Sequence, residues 1–210
     1  MMLMDNTSQN KYENQINIDL LFPTVIGRFQ DINFTNRVLE ISGDILDKTK
    51  GNNFLTYHQL DYSSTFRDQE ITEYINSFSW IKEYLLSLSY TFIDTIGYSS
   101  LGELDVQAFF SRMTKGDKHP FHVHDNSVLS GVAYLETNND CAPIIFEDPR
   151  KVRHFNQLVS KETPQLTNNI YESILPKKGE ILIWESWLSH SVDLNECDCR
   201  ETLVFNIGRK

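Results

Sequence analysis

Two hydrophobic periods divide this chain. Between Asp68 and Gly97 the apolar residues Ile71, Tyr74, Ile75, Phe78, Ile81, Tyr84, Leu85, Leu88, Phe92 and Ile96 recur every three or four positions. That spacing predicts one amphipathic helix or two in succession, capped by Asp68 and stopped by Gly97, its aromatic stripe packed on a sheet. From Gly102 the segments become short, β-branched and aromatic, as strands are. Leu104 to Met113 reads as a strand, Lys115-Gly116-Asp117 as a turn and Pro120 to His124 as the strand's continuation; SGVAYLE, APIIFED, EILIWES and RETLVFNIG follow. Upstream, LLFPTVIGRFQ reads as a strand interrupted early by Pro23, and Thr35 to Lys48 as a helix that carries Gly43 inside it. The first 16 residues are too polar to repay ordering, so a frayed N-terminus is expected. The remainder, 17–210, reads as one domain: a strand and supporting helices over 17–102, then a β core over 103–210. The polar stretch from Pro149 to Pro176 reads as an insertion near the mouth of that core.

Charge narrows the partners. With 19 Lys and Arg against 29 Asp and Glu the net charge is -10, and the basic residues are scattered, so no direct nucleic-acid partner is expected. No apolar run approaches the ~18 residues of a membrane span, and MMLMDNTSQNKYENQIN lacks the basic and apolar regions of an export signal. The three cysteines, Cys141, Cys197 and Cys199, do not describe a disulfide framework. A cytoplasmic protein is the expectation, with a homodimer open to it through the exposed apolar residues of the long helix.

The candidate chemistry rests on strand parity. His122 and His124 are two apart, so on a strand both imidazoles face one side and can converge on one ion. His190 follows WESWLS, just beyond a strand. In the terminal strand Arg200, Thr202, Val204 and Asn206 share a face, and a guanidinium inside a barrel demands an anion; the competing reading is a surface Arg200 paired with Glu196 or Asp198. Tyr134 shares parity with Ser130 and Val132 on another strand, as a core residue or a cavity residue. Trp184 and Trp187 either pack or wall a pocket. His119 lies three positions from His122 and falls on the opposite face of an ideal strand; His58 and His154 have no partnered context.

The segments KGDKHPFHVHDNSVLSGVAYL, FEDPR, LPKKGEILIWESWLSH and RETLVFN together resemble a family of 2-oxoglutarate and iron(II)-dependent oxygenases known mostly from bacteria and phages. The resemblance covers roughly residues 105 to 207, with a weaker echo in LFPT. It implies a mainly β protein with flanking helices: a double-stranded β-helix, the jelly roll of cupin-like proteins, with N-terminal helical support. It also implies iron(II) on the His-Val-His segment and His190, and 2-oxoglutarate as cosubstrate, its far carboxylate held by Arg200 and Thr202 and with Tyr134 in reach. The wider superfamily carries His-x-Asp or His-x-Glu where this chain has His124. Within the narrower group that the chain resembles His-x-His is the usual form, so the resemblance implies His122, His124 and His190 as ligands, with Asp125 as an alternative ligand if the strand ends or bulges there. The implied activity is hydroxylation of a small molecule or a protein side chain, coupled to decarboxylation of 2-oxoglutarate to succinate. The alternatives are a cupin-like three-His metalloprotein without 2-oxoglutarate and a non-catalytic jelly-roll module. Neither needs Arg200.

Overall fold

A computed structural model describes residues 20–49, 63–65, 69–99, 102–154 and 169–210. The N-terminal 16 residues, His58 and Asp68 lie outside the described residues. The chain runs β1 (Ile26–Gln30), α1 (Ile32–Thr49), β2 (Ser63–Ser64), α2 (Gln69–Ser77), α3 (Ser79–Thr95), β3 (Leu104–Met113), β4 (His119–His122), β5 (Leu129–Glu136), β6 (Ile144–Glu147), β7 (Tyr171–Ile174), β8 (Glu180–Glu185), β9 (His190–Val192) and β10 (Arg200–Arg209).

Local signals set the helix ends. Asp31 starts α1, accepting the Phe34 amide on its carboxylate at 2.9 Å, so the helix begins three residues before the Thr35 expected from its apolar pattern. The longer periodic stretch is two helices, broken where Phe78 leaves helical geometry at ψ 85°. Gly97 then ends α3 in the left-handed region at φ 84°, with the Tyr98 amide reaching back to the Ile93 carbonyl at 3.0 Å.

Two antiparallel sheets form a jelly roll. The six-stranded sheet has the order β1-β8-β5-β10-β3-β2, and the four-stranded sheet β4-β9-β6-β7. The larger sheet is covered on both faces, which explains why its strands read as nearly unbroken apolar runs. Val106, Ala108, Phe110, Ala133, Leu135, Ile181, Ile183, Leu203 and Phe205 meet Phe34, Val38, Ile81, Leu85 and Phe92 of the helices. The alternate residues Val132, Tyr134, Leu182 and Trp184 turn the other way, toward Ile144 and Phe146 of the smaller sheet. Gly131 lies opposite Phe205 on the helix side, where any Cβ would run into that ring.

The structure corrects three expectations. Strand β4 does not continue β3: the turn at Thr114 to Asp117, closed by the Thr114 amide on the Asp117 carboxylate at 2.6 Å, carries the chain from the larger sheet to the smaller. The stretch from Pro149 to Pro176 is not only an insertion, because β7 within it pairs with β6. Cys141 and Cys197, 56 positions apart in sequence, form a disulfide with Cα atoms 4.7 Å apart. Their loops meet because β6 and β9 are neighbours, and Asn195 joins them by accepting the Ala142 amide at 3.0 Å. No helix among the described residues is long and apolar enough to cross a membrane.

Candidate metal centre

The site lies between the sheets, at the β4 edge of the smaller one. In the β4–β9 ladder His122 stands directly opposite His190. His124 follows after β4 has ended, so strand pairing does not place it; its amide is held instead by the Ser186 carbonyl at 3.2 Å. One nitrogen from each of His122, His124 and His190 falls within a group no wider than 4.8 Å, and the Nε2 atoms of His124 and His190 are 3.3 Å apart. Carbonyls fix which nitrogen faces the centre. His190 Nδ1 lies 2.9 Å from the Leu188 carbonyl and His122 Nδ1 2.9 Å from that of Pro120. A carbonyl only accepts, so each Nδ1 carries the proton and leaves Nε2 with its lone pair, the tautomer a metal requires. Burial, reinforced by the neighbouring imidazoles, pulls His190 down to about 2 and His124 to about 4, and burial also lowers His122. All three are neutral at pH 7 and ready to ligate.

Asp125 is not brought into this group. It sits exposed in the turn beyond His124 and lines a second, outer cavity of about 690 Å³ together with Val123, Trp187 and Glu185. His119, which ideal parity places on the far face, joins the cluster: its ring centroid is 4.1 Å from that of His122, and it lines the inner cavity. A bulge between His119 and His122 sets two residues, Pro120 and Phe121, against one of β9, Ser191, and reverses the parity. The available signal was Pro120, since proline inside a strand marks an edge or a bulge.

Arg200 opens β10 inside the molecule, 3% exposed, and shares the inner cavity of about 80 Å³ with the histidines, Thr202 and Trp184. Its Nε donates to the Ala142 carbonyl at 3.2 Å, and no described carboxylate pairs with it. The surface pairing with Glu196 or Asp198 does not occur; Glu196 faces Lys115 at 3.6 Å. Thr202 is buried beside Arg200 and donates to the Ser111 carbonyl at 3.3 Å. Tyr134 stands opposite Thr202 across the β5–β10 ladder, its ring centroid 5.2 Å from the Arg200 guanidinium carbon. Its hydroxyl is buried beside that guanidinium, and burial pushes the phenol up, so it stays protonated. Tyr134 backs Arg200 but is not among the residues lining the inner cavity. Of the two tryptophans near His190 in sequence, Trp184 is buried and Trp187 half-exposed on the outer cavity.

In sequence, residues 107–206 match the family described as "Putative 2OG-Fe(II) oxygenase". No curated protein matches the chain. Among solved structures, a Pseudomonas putida prolyl-4-hydroxylase is similar over 89% of this chain and 94% of its own, at 13% identity and a TM-score of 0.55. HygX from Streptomyces hygroscopicus, solved with nickel, 2-oxoglutarate and hygromycin B bound, is similar over 89% of this chain and 84% of its own, at 9% identity and a TM-score of 0.57. An oxidoreductase of the 2OG-Fe(II) oxygenase family from Burkholderia pseudomallei matches 57% of this chain, which spans half of that one, at 17% identity and a TM-score of 0.43.

Proposed function

We propose, because residues 107–206 match the family described as "Putative 2OG-Fe(II) oxygenase", that His122, His124 and His190 hold iron(II), that Arg200 and Thr202 hold the far carboxylate of 2-oxoglutarate, and that the chain is a hydroxylase. The observation that carries this reading is Arg200. A buried guanidinium without a carboxylate partner is costly unless something anionic arrives, and it shares one cavity with three converging imidazoles. A zinc hydroxide site or a plain jelly-roll module gives that cation no purpose.

The residues fit both groups. Three neutral imidazoles with their Nε2 atoms inward leave a divalent ion its full charge, and a doubly negative cosubstrate offsets that charge. Bound together, iron(II) and 2-oxoglutarate would let dioxygen act as the oxidant, one oxygen atom entering succinate as carbon dioxide leaves and the other entering the substrate C–H bond. The protein's part is positional. The Leu188 and Pro120 carbonyls keep two ligands in one tautomer, Tyr134 and the Ala142 carbonyl hold the guanidinium, and the buried walls Trp184 and Val132 exclude water. The outer cavity receives the substrate: it shares His124 with the inner one, and its roughly 690 Å³ suits a small molecule or a side chain. Hygromycin B in the HygX structure and the prolyl-4-hydroxylase relative span those two classes.

The test is spectroscopic. Protein loaded with iron(II) without oxygen should develop a visible charge-transfer band as 2-oxoglutarate is added. His124→Ala should abolish the band and Asp125→Asn should keep it. No band in the wild-type protein at saturating iron would overturn the oxygenase reading, and its loss in Asp125→Asn would move the carboxylate into the ligand set.

A further inference from the structure

Of the buried side-chain polar atoms without a hydrogen-bond partner among the described residues, one belongs to a residue that lines the inner cavity. Trp184 sits in β8 on the inward parity, 2% exposed, with its ring edge-to-face against His190 at a centroid distance of 4.8 Å and against Phe146 at 5.2 Å. It lines the inner cavity together with the three histidines, Arg200 and Thr202. Its Nε1–H is buried and has no hydrogen-bond partner among the described residues.

A tryptophan used only for packing has no reason to bury its one polar atom unpaired. Indole N–H groups in protein interiors nearly always find an acceptor, and leaving one unmet costs about 1–3 kcal/mol. Phenylalanine would fill most of the same space without that cost. The chemistry of the neighbours says what kind of acceptor is missing. Indole N–H and guanidinium are donors only, and the histidine Nε2 atoms point at the metal position. Charge and donors together call for an oxygen-rich anion that spans the distance from the histidines to Arg200.

We propose that Trp184 is a cosubstrate-binding residue, its indole N–H donating a hydrogen bond to a carboxylate or keto oxygen of 2-oxoglutarate. This rests on the oxygenase reading and adds to it. Arg200 grips one end of the cosubstrate, while Trp184, packed against the ligand His190, fixes the orientation of the ligand near the metal. A hydrogen bond to a charged oxygen is worth about 1.5–3 kcal/mol, so its loss should weaken binding by about tenfold or more.

Two measurements test it, neither requiring turnover. The chain has 3 tryptophans, so an amide-correlation NMR spectrum of the zinc-loaded protein should show three indole N–H signals. The one missing in Trp184→Phe should move downfield and exchange more slowly with water when 2-oxoglutarate is added to the wild type. By calorimetry, Trp184→Phe should lose about tenfold or more in affinity for 2-oxoglutarate while zinc affinity changes less than twofold. An unmoved Trp184 signal in wild-type protein that does bind 2-oxoglutarate would overturn the proposal and leave the oxygenase reading standing. The wild-type signal is decisive even if the variant folds poorly. If the wild type binds no 2-oxoglutarate, both readings fall.

Discussion

Strand β10 buries two opposite charges side by side, and the protein treats them differently. Glu201 points toward the helices, 2% exposed, where Arg112 meets one carboxylate oxygen at 2.9 Å and the Ser42 hydroxyl meets the other. Arg200, one residue earlier and on the other face, is equally buried and meets the Ala142 carbonyl, the Met113 sulfur and Tyr134, with no carboxylate among the described residues. The helix face is closed electrostatically by the chain itself. The inter-sheet face is left open, and that is where a ligand of opposite sign belongs. Burial alone does not separate structure from function here, whereas the presence of an internal counter-charge does.

The largest expected effect comes from breaking the open side. Arg200→Leu removes an unpaired buried cation, so the fold should lose no stability and is expected to gain about 1 kcal/mol or more. The same change should weaken 2-oxoglutarate binding by about 100-fold, since a two-pronged charged contact is lost, with metal affinity nearly intact. Calorimetry and a denaturant melt read the two quantities separately. A variant that loses stability but keeps 2-oxoglutarate affinity would make Arg200 a structural residue like its neighbour.

The closed side should respond in the opposite sense. Glu201→Ala removes the carboxylate that Arg112 meets, an arginine whose side chain is about a fifth exposed at 22%, and leaves the Ser42 hydroxyl without that acceptor. Partial exposure of Arg112 discounts the loss, to about 2–3 kcal/mol of unfolding free energy. Metal and 2-oxoglutarate binding should stay within a few-fold of the wild type. If Glu201→Ala instead abolished 2-oxoglutarate binding at a temperature where it is folded, the two faces would be coupled and the contrast between them would fail.

This contrast could partly be read from the sequence. Period-2 parity on β10 separates Arg200 from Glu201 without any structure, and it holds even though the β10–β5 register shifts between Glu201 and Thr202, because the shift falls on the partner strand. Parity failed on β4, where one extra residue turns His119 toward His122. It succeeded for His124 only in outcome, since the Ser186 carbonyl rather than a strand ladder fixes that backbone. Helix periods were readable because α1, α2 and α3 each bury one side, yet the break at Phe78 carried no glycine or proline to announce it. What no local pattern contains is which distant loops meet. The Glu201–Arg112 pair and the Cys141–Cys197 disulfide span 89 and 56 positions, and both follow from sheet order.

The disulfide offers the finest adjustment of the same comparison, because it sits beside one face only. Cys141 precedes Ala142, whose carbonyl accepts from Arg200 and whose amide donates to Asn195. The crosslink to Cys197 thus anchors the backbone that aims the guanidinium. Reduction by a dithiol, which becomes a cyclic disulfide as Cys141 and Cys197 gain one hydrogen each, leaves the Asn195 contacts in place. Arg200 should lose some preorganisation but not its site, raising the 2-oxoglutarate dissociation constant by about threefold, less than 1 kcal/mol. Cys141→Ser should reproduce the value of the reduced protein and abolish its response to dithiol, while Cys199→Ser, which removes the free thiol, should respond as the wild type does. The Glu201–Arg112 pair lies on the opposite face, so the stability lost in Glu201→Ala should be the same in oxidised and reduced protein. If reduction changed that loss by more than about 0.5 kcal/mol, the closed and open sides of β10 would not be independent.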